Sequence, residues 1–271
     1  MKFLDGLDSD LKVALLAQLR DLWTYTSTAL EGNTLTLGET AFVLAEGLTI
    51  SGKPLKDHSE VVGHARAIEL LYHLLDRNDL VSQDDLFLLH GAVQTAIVVD
   101  IYQPIGAWKR ESNGTNALTL EGKQTFIDYA SPVDVPVLMM EWLAMLNDAL
   151  NASLNKEAAL IAYTNLHQAF VRIHPFADGN GRMARLVANL PVLKSGFPPI
   201  FLIDRTRRRD YLQCLSAYDL QIGPARAGKA LLPESALRNT FQKFCQDCWQ
   251  ASLDLVAEMK ERQQVRSVER K

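Results

Sequence analysis

Within the 271 residues of this chain, one stretch gathers most of the side chains that do chemistry: RIHPFADGNGRMAR, Arg172 to Arg185. Gly179 and Gly181 lack the Cβ that blocks positive φ or close approach. The backbone N–H groups from Asp178 to Arg182 can therefore point inward together as an anion nest. That nest falls at the start of a helical run, where unpaired donors and the helix dipole both favour negative charge. Arg182 and Arg185 stand three residues apart on that helix, spaced to contact successive phosphates of one ligand. Asp178 offers a hard oxygen ligand beside the anion, which suits Mg2+ bridging a nucleotide's phosphates. His174 is the group here that accepts a proton near neutral pH. Each feature has a plainer reading alone: Gly-Asn-Gly is a tight turn, and a lone histidine at a helix end is a cap or core residue. Together, within twelve residues, they meet four requirements of nucleotidyl transfer: a base, a metal ligand, a phosphate cradle and two clamps.

The elements that must position these groups read almost entirely as helices. Residues 8–32 carry Leu11, Leu15, Leu19 and Leu22 on one face, begin with Asp or Ser as N-cap and stop at Gly32. Residues 58–77 and 82–98 repeat the pattern, the second with Ser82 as cap and Asp84 and Asp85 in its first turn. Residues 131–153 place their prolines at the helix entry, and residues 155–173 run straight into the opening stretch. Pro191 falls within the helix after it and predicts a kink or an early end there. One segment departs from this period. Asn113-Gly114, with Gly106 and Trp108 before it and Leu118 and Leu120 after it, predicts a short β-hairpin. The fold class is all-α, a helical bundle with one hairpin. Residues 1–230 form the main domain, and 231–271 add one or two helices that pack on it or make a dimer contact.

Composition narrows the partners. A net charge of -4 and a pI near 5.9 give no overall field for nucleic acid. The basic runs Asp204 to Asp210 and the C-terminal tail read as solvated faces, which argues against a nucleic-acid partner. No run of about 18 apolar residues suggests a membrane span. The early acids of MKFLDGLDSDLK are unlike a signal peptide, so the expected location is the cytoplasm. Cys214, Cys245 and Cys248 are too few for a disulfide framework, and one Cys-x-x-Cys lacks the second ligand pair of a zinc site. His64, His90 and His167 lie in helical patterns and read as structural.

HPFADGNGR followed by MAR resembles the signature of the Fic family, His-x-Phe-x-Asp/Glu-Gly-Asn-Gly-Arg-x-x-Arg, at every defined position from His174 to Arg185. The likeness extends over roughly residues 20 to 220. It implies a protein adenylyltransferase that moves AMP from ATP, with Mg2+, onto a Ser, Thr or Tyr hydroxyl of a target protein. Self-modification remains open, as does a homodimer. By the resemblance, His174 deprotonates the target hydroxyl, Phe176 anchors the loop and Asp178 holds Mg2+. Gly179, Asn180 and Gly181 cradle the phosphates, while Arg182 and Arg185 steady the rest of the triphosphate. The hairpin placed around Ile105, Gly106, Ala107, Trp108 and Lys109 resembles the family's target-docking flap, which pins an extended segment by strand addition. Tyr211 resembles a residue lining the nucleotide site. STALEGN, Ser27 to Asn33, fits the inhibitory-helix pattern Ser/Thr-x-x-x-Glu-Gly/Asn, which casts Glu31 as the partner that takes Arg185 away from ATP. Its plainer reading is a helix end before Gly32. The same residues leave open the reverse reaction, hydrolysis of AMP from a modified protein, and a non-catalytic nucleotide-binding regulator.

Overall fold

Leu11, Leu15, Leu19 and Trp23, spaced by four, form the buried face of the first long helix, α1 (Ser9–Leu30). The structure is a computed structural model describing residues 1–94, 103–118, 123–201 and 205–269. Next come α2 (Leu37–Glu46), α3 (Leu55–Asp76) and α4 (Gln83–Val93). Capping boxes start two of them: Thr36 with Glu39 at α2, Ser82 with Asp85 at α4. The strands β1 (Gly114–Leu118) and β2 (Gln124–Asp128) pair antiparallel, Gly114 opposite Asp128 and Leu118 opposite Gln124. After them come α5 (Val135–Asn151), α6 (Lys156–Ile173), α7 (Asn180–Val187), α8 (Leu190–Lys194), α9 (Arg208–Ile222) and α10 (Ala236–Glu269).

Helix α6 is the axis of the bundle. Every residue from Leu166 to Ile173 is buried, and the helix packs on α5, α7, α8 and α10. Its last two turns, covered on all sides, are fixed in rotation and in height, so its C-terminal end is a rigid place to mount a reactive group. The expected break at Pro191 is present. Helix α7 ends at Val187 and Pro191 sits in the first turn of α8. The buried side chain of Asn189 holds the junction, donating to the carbonyls of Arg185 and Ile200 (2.9 Å each) and accepting from the Ile200 amide (2.7 Å). The C-terminal segment is one helix, α10, packed on α1, α6 and α9. Cys245 and Cys248 are buried in it, and no disulfide forms among the described residues.

The hairpin lies later than the Asn113-Gly114 signal places it. Gly114 opens β1 instead of making the turn, because the Asn113 side chain is engaged elsewhere: it donates to the Phe176 carbonyl (3.1 Å) and accepts from Lys109 Nζ. Local turn propensity yields here to a tertiary contact. Ile105, Gly106, Ala107 and Trp108 form a bend ahead of the strands, and Trp108 packs on Phe87 and Phe176 at ring-centroid distances of 4.5 and 5.1 Å. Leu120, residues 95–98 of the helix expected over 82–98 and Asp204 lie outside the described residues. Helices α2 and α9 have no counterpart in the expected elements. The basic run at 205–210 enters α9 with Arg208, Arg209 and Asp210 exposed, as a solvated face.

Phe176 is fully buried among Phe87, His90, Trp108 and Phe170. Phe176→Ala is expected to lower stability by about 3–5 kcal/mol in urea unfolding, the range for emptying an aromatic core position. A loss below about 1 kcal/mol would show that this ring does not anchor the loop.

Candidate active site

A cleft of about 930 Å³ opens between the end of α1, the hairpin, the 174–182 loop and α9. His174, Asp178, Arg182 and Arg185 line it from one side, Glu31 from another, and Tyr211 from α9. The sequence-predicted loop residues and Glu31 therefore meet in one place, although 154 positions separate Glu31 from Arg185.

His174 caps α6 in the left-handed conformation, φ 51°, and is the one non-glycine residue with positive φ among those described. That conformation costs an L-residue about 1–2 kcal/mol and persists where surroundings enforce it. Its Nδ1 lies 3.1 Å from the Val171 carbonyl. A carbonyl only accepts, so Nδ1 carries the proton and Nε2 keeps its lone pair. Burial pushes the imidazole down to about 4, assisted by the charge of Lys109 and opposed by the Val171 hydrogen bond. At neutral pH the ring is an uncharged proton acceptor.

The loop then turns at Gly179, which takes φ 76° as the N-cap of α7. The first-turn amides of α7 have no intrahelical partners and begin at the cleft wall formed by Gly179, Asn180 and Gly181. The Asn180 side chain closes the loop on itself, accepting from the Phe176 amide and donating to its carbonyl (2.9 Å each). Asn180 thus shapes the nest with its side chain. Asp178 Oδ2 accepts from Gln94 Nε2 (2.8 Å), and the side chain is 66% exposed toward the cleft. Burial works to raise its carboxyl, but Gln94, the Gly179 amide and Arg182 bring it below the ordinary range. Among the described residues no three His, Cys, Asp or Glu side chains cluster as a metal cage. A single carboxylate beside an anion nest fits Mg2+, which keeps waters and takes its other ligands from phosphates.

The two arginines have different surroundings. Arg182 donates to the Val93 carbonyl (3.2 Å) and Gln94 Oε1 (2.8 Å), with Glu60 3.8 Å away and Asp178 3.7 Å away. Arg185 is 3% exposed and donates to Glu31 Oε1 (2.6 Å), the Ser27 carbonyl (3.0 Å), Ser27 Oγ (3.1 Å) and the Tyr211 hydroxyl (3.3 Å). Tyr211 bonds His167 Nε2 in turn (3.1 Å). Burial works to raise the Glu31 carboxyl, but the charge and hydrogen bond of Arg185 more than offset it, leaving it below its ordinary value. Gly181 is what permits this approach: a Cβ there would stand 2.6 Å from Glu31 Oε1 and 3.0 Å from Arg185 Nη1.

Several residues of the site escape sequence reasoning. His90 reads as a core histidine, and it is buried, yet it accepts from the Gly106 amide and donates to the Asp178 carbonyl while stacking on Phe176 (3.8 Å). Gln94, Glu60 and Tyr129 carry no spacing signal in the sequence. Ser27 opens the Ser-x-x-x-Glu pattern, which was the clue to its contact. Ile105, Gly106, Ala107 and Trp108 are not among the cleft-lining residues; Gly114, Thr115, Asn116 and Ala117 of β1 take that place.

A helical bundle with one hairpin thus gathers a neutral histidine, one carboxylate and two arginines around a helix N-terminus. A family model described as Fic/DOC family matches residues 80–192, and the chain carries a domain of that family. Protein adenylyltransferase fic-1 of Caenorhabditis elegans is 36% identical over 197 residues, spanning 70% of this chain and 35% of that protein. Protein adenylyltransferase Fic of Aedes aegypti is 28% identical over 240 residues, 85% of this chain and 40% of its own length. The chain thus spans well under half of the curated relatives it matches. Among solved structures, a Fic domain containing signaling protein from Bacteroides thetaiotaomicron VPI-5482 superposes with a TM-score of 0.79 at 27% identity, covering 95% of this chain and 93% of that one.

Because the folded Glu31 carboxyl is held below its unfolded value, the pair's contribution is present above the unfolded value and is lost as pH falls through the folded one. Glu31→Gln is expected to cost about 1 kcal/mol at pH 7, a charged hydrogen bond discounted because the Glu31 side chain is 39% exposed. The difference between wild type and variant should shrink as pH drops below about 4.5. Urea unfolding from pH 3.5 to 8 measures it; a difference that grows toward acid would refute the pair.

Proposed function

We propose that this protein is an adenylyltransferase that moves AMP from ATP to a hydroxyl side chain of a target protein, and that Glu31 restrains it. The observation that supports this most is that the unprotonated Nε2 of His174 and the start of α7 belong to one cleft. In the proposed step the target hydroxyl oxygen attacks the α-phosphorus of ATP. The bond from that phosphorus to the α,β-bridging oxygen breaks, pyrophosphate leaves, and the hydroxyl proton passes to His174 Nε2. The amides of α7 and Arg185 hold phosphate oxygens where charge develops. Asp178 would hold Mg2+, which supplies charge neutralisation of the phosphates when bound.

The restraint follows from the 2.6 Å pair of Glu31 and Arg185. While Glu31 occupies the guanidinium, a phosphate oxygen that needs the same donors meets a carboxylate instead. An extended target segment would dock on the cleft side of β1, which pairs only with β2 among the described residues. This replaces the Ile105 to Lys109 bend as the docking strand. A Ser, Thr or Tyr acceptor, self-modification, a homodimer and a cytoplasmic setting complete the reading. No helix among the described residues is long and apolar enough to cross a membrane.

Labelled ATP tests the proposal. Glu31→Gly is expected to raise AMP incorporation roughly tenfold or more, equivalent to about 1.4 kcal/mol. Adding His174→Ala should cut it by at least about 100-fold, the usual contribution of a general base. Label transfer that survives the histidine substitution would refute the mechanism. Glu31-dependent release of AMP from a modified protein, with no transfer by Glu31→Gly, would favour the hydrolytic direction.

A further inference from the structure

Tyr129, the residue after β2, lays its ring flat on the His174 imidazole: the centroids are 3.7 Å apart and the planes differ by 2°. A full face-to-face overlap is not what ring quadrupoles prefer, so the arrangement is imposed by what holds each ring. The Tyr129 amide donates to the Asn113 carbonyl (3.1 Å), and its hydroxyl is bonded by Thr115 on β1. The foot of the hairpin also grips the chain on both sides of His174. The Lys109 amide donates to the Pro175 carbonyl (2.8 Å), Lys109 Nζ to the Ile173 carbonyl (3.4 Å) and Asn113 Nδ2 to the Phe176 carbonyl (3.1 Å).

These bonds fix the backbone of the catalytic turn but not the imidazole. The described hydrogen bond to the ring is the one from Nδ1 to Val171, and a single bond leaves the ring able to swing about it. Among the described ring contacts, the Tyr129 face is the one that opposes that swing. We propose that Tyr129 is a positioning residue for His174, so that the hairpin on which a target segment would dock also sets where Nε2 lies. The proposal rests on the reading of His174 as the base. Tyr129 touches no reacting atom in this account; it acts through the imidazole. The element that selects the target and the element that aims the base are then the same hairpin, so a misplaced hairpin misaims Nε2.

The test compares Tyr129→Leu with Tyr129→Phe, both in the Glu31→Gly background, by steady-state transfer and by NMR of the His174 ring. Tyr129→Leu is expected to lower kcat by about 10- to 100-fold, the effect of a reacting group displaced by about 1 Å, with the KM for ATP unchanged. Tyr129→Phe keeps the ring and should restore most of kcat. The His174 Cε1 proton, shielded under the tyrosine ring, should move downfield in Tyr129→Leu and stay in place in Tyr129→Phe. An unmoved resonance in Tyr129→Leu overturns the proposal whether or not the protein transfers AMP, and so does a moved resonance with unchanged kcat. A fall in kcat matched by loss of ATP binding would assign Tyr129 to folding of the cleft and also overturn it. If the resonance moves as expected but Glu31→Gly transfers nothing, the failure belongs to the assigned activity and not to the stacking.

Discussion

A buried arginine keeps its charge, and the placement of Arg185 is the constraint around which this structure is arranged. Its guanidinium is almost wholly removed from water, so each N–H must find an acceptor in the protein. Ser27 of α1, Glu31 at its C-terminal end and Tyr211 of α9 accept four such bonds. Those contacts hold the ends of three helices together at the floor of the cleft. The position that a phosphate would want is therefore already satisfied by the protein's own carboxylate. The proposed restraint and the stability of the fold would share this one interaction, and a Cβ at Gly181 would push Glu31 Oε1 away from it.

The other half of the site depends on α6. The last two turns of α6, buried on every side, cannot rotate, and His174 at their end passes through a left-handed turn. Phe176 then drives the chain back into the core, and Asn180 closes the loop on the Phe176 backbone. The strain at His174 is held by packing on both sides of it. This leaves Nε2 with its lone pair available in a ring that lines the cleft, with the α7 amides at the same wall. The result is a prearranged electrostatic surface, the kind that accelerates transfer of a charged group without reorganising as it reacts.

Much of this was legible in the sequence because the relevant information is local. The His174 to Arg185 spacing fixes a loop before a helix, and the i+4 leucines of α1 fix which face is buried. Pro191 marks the break between α7 and α8 because a missing N–H acts where it stands. The hairpin was misplaced because Asn113 has a stronger use in a contact with Phe176, 63 residues away, than in a turn. The partners of Arg182, the link Gln94 makes between Asp178 and Arg182, and the stack of Tyr129 on His174 are invisible for the same reason. They are contacts between elements, and periodicity says which face is buried but not what meets it. Helix α2 was readable from Thr36, Glu39 and Gly47, a capping box and a left-handed stop, without a long apolar stripe to draw attention to it.

The central claim is that Glu31 and the terminal phosphates of ATP compete for Arg185. A double-mutant cycle on binding of ATP with Mg2+, measured by calorimetry for wild type, Glu31→Gln, Arg185→Met and the pair, addresses it directly. The account predicts that Glu31→Gln tightens ATP binding by about tenfold when Arg185 is present and leaves it unchanged when Arg185 is methionine, a coupling of about 1.4 kcal/mol. An equal gain in both backgrounds would mean that Glu31 acts by general charge repulsion, and would contradict the competition for Arg185.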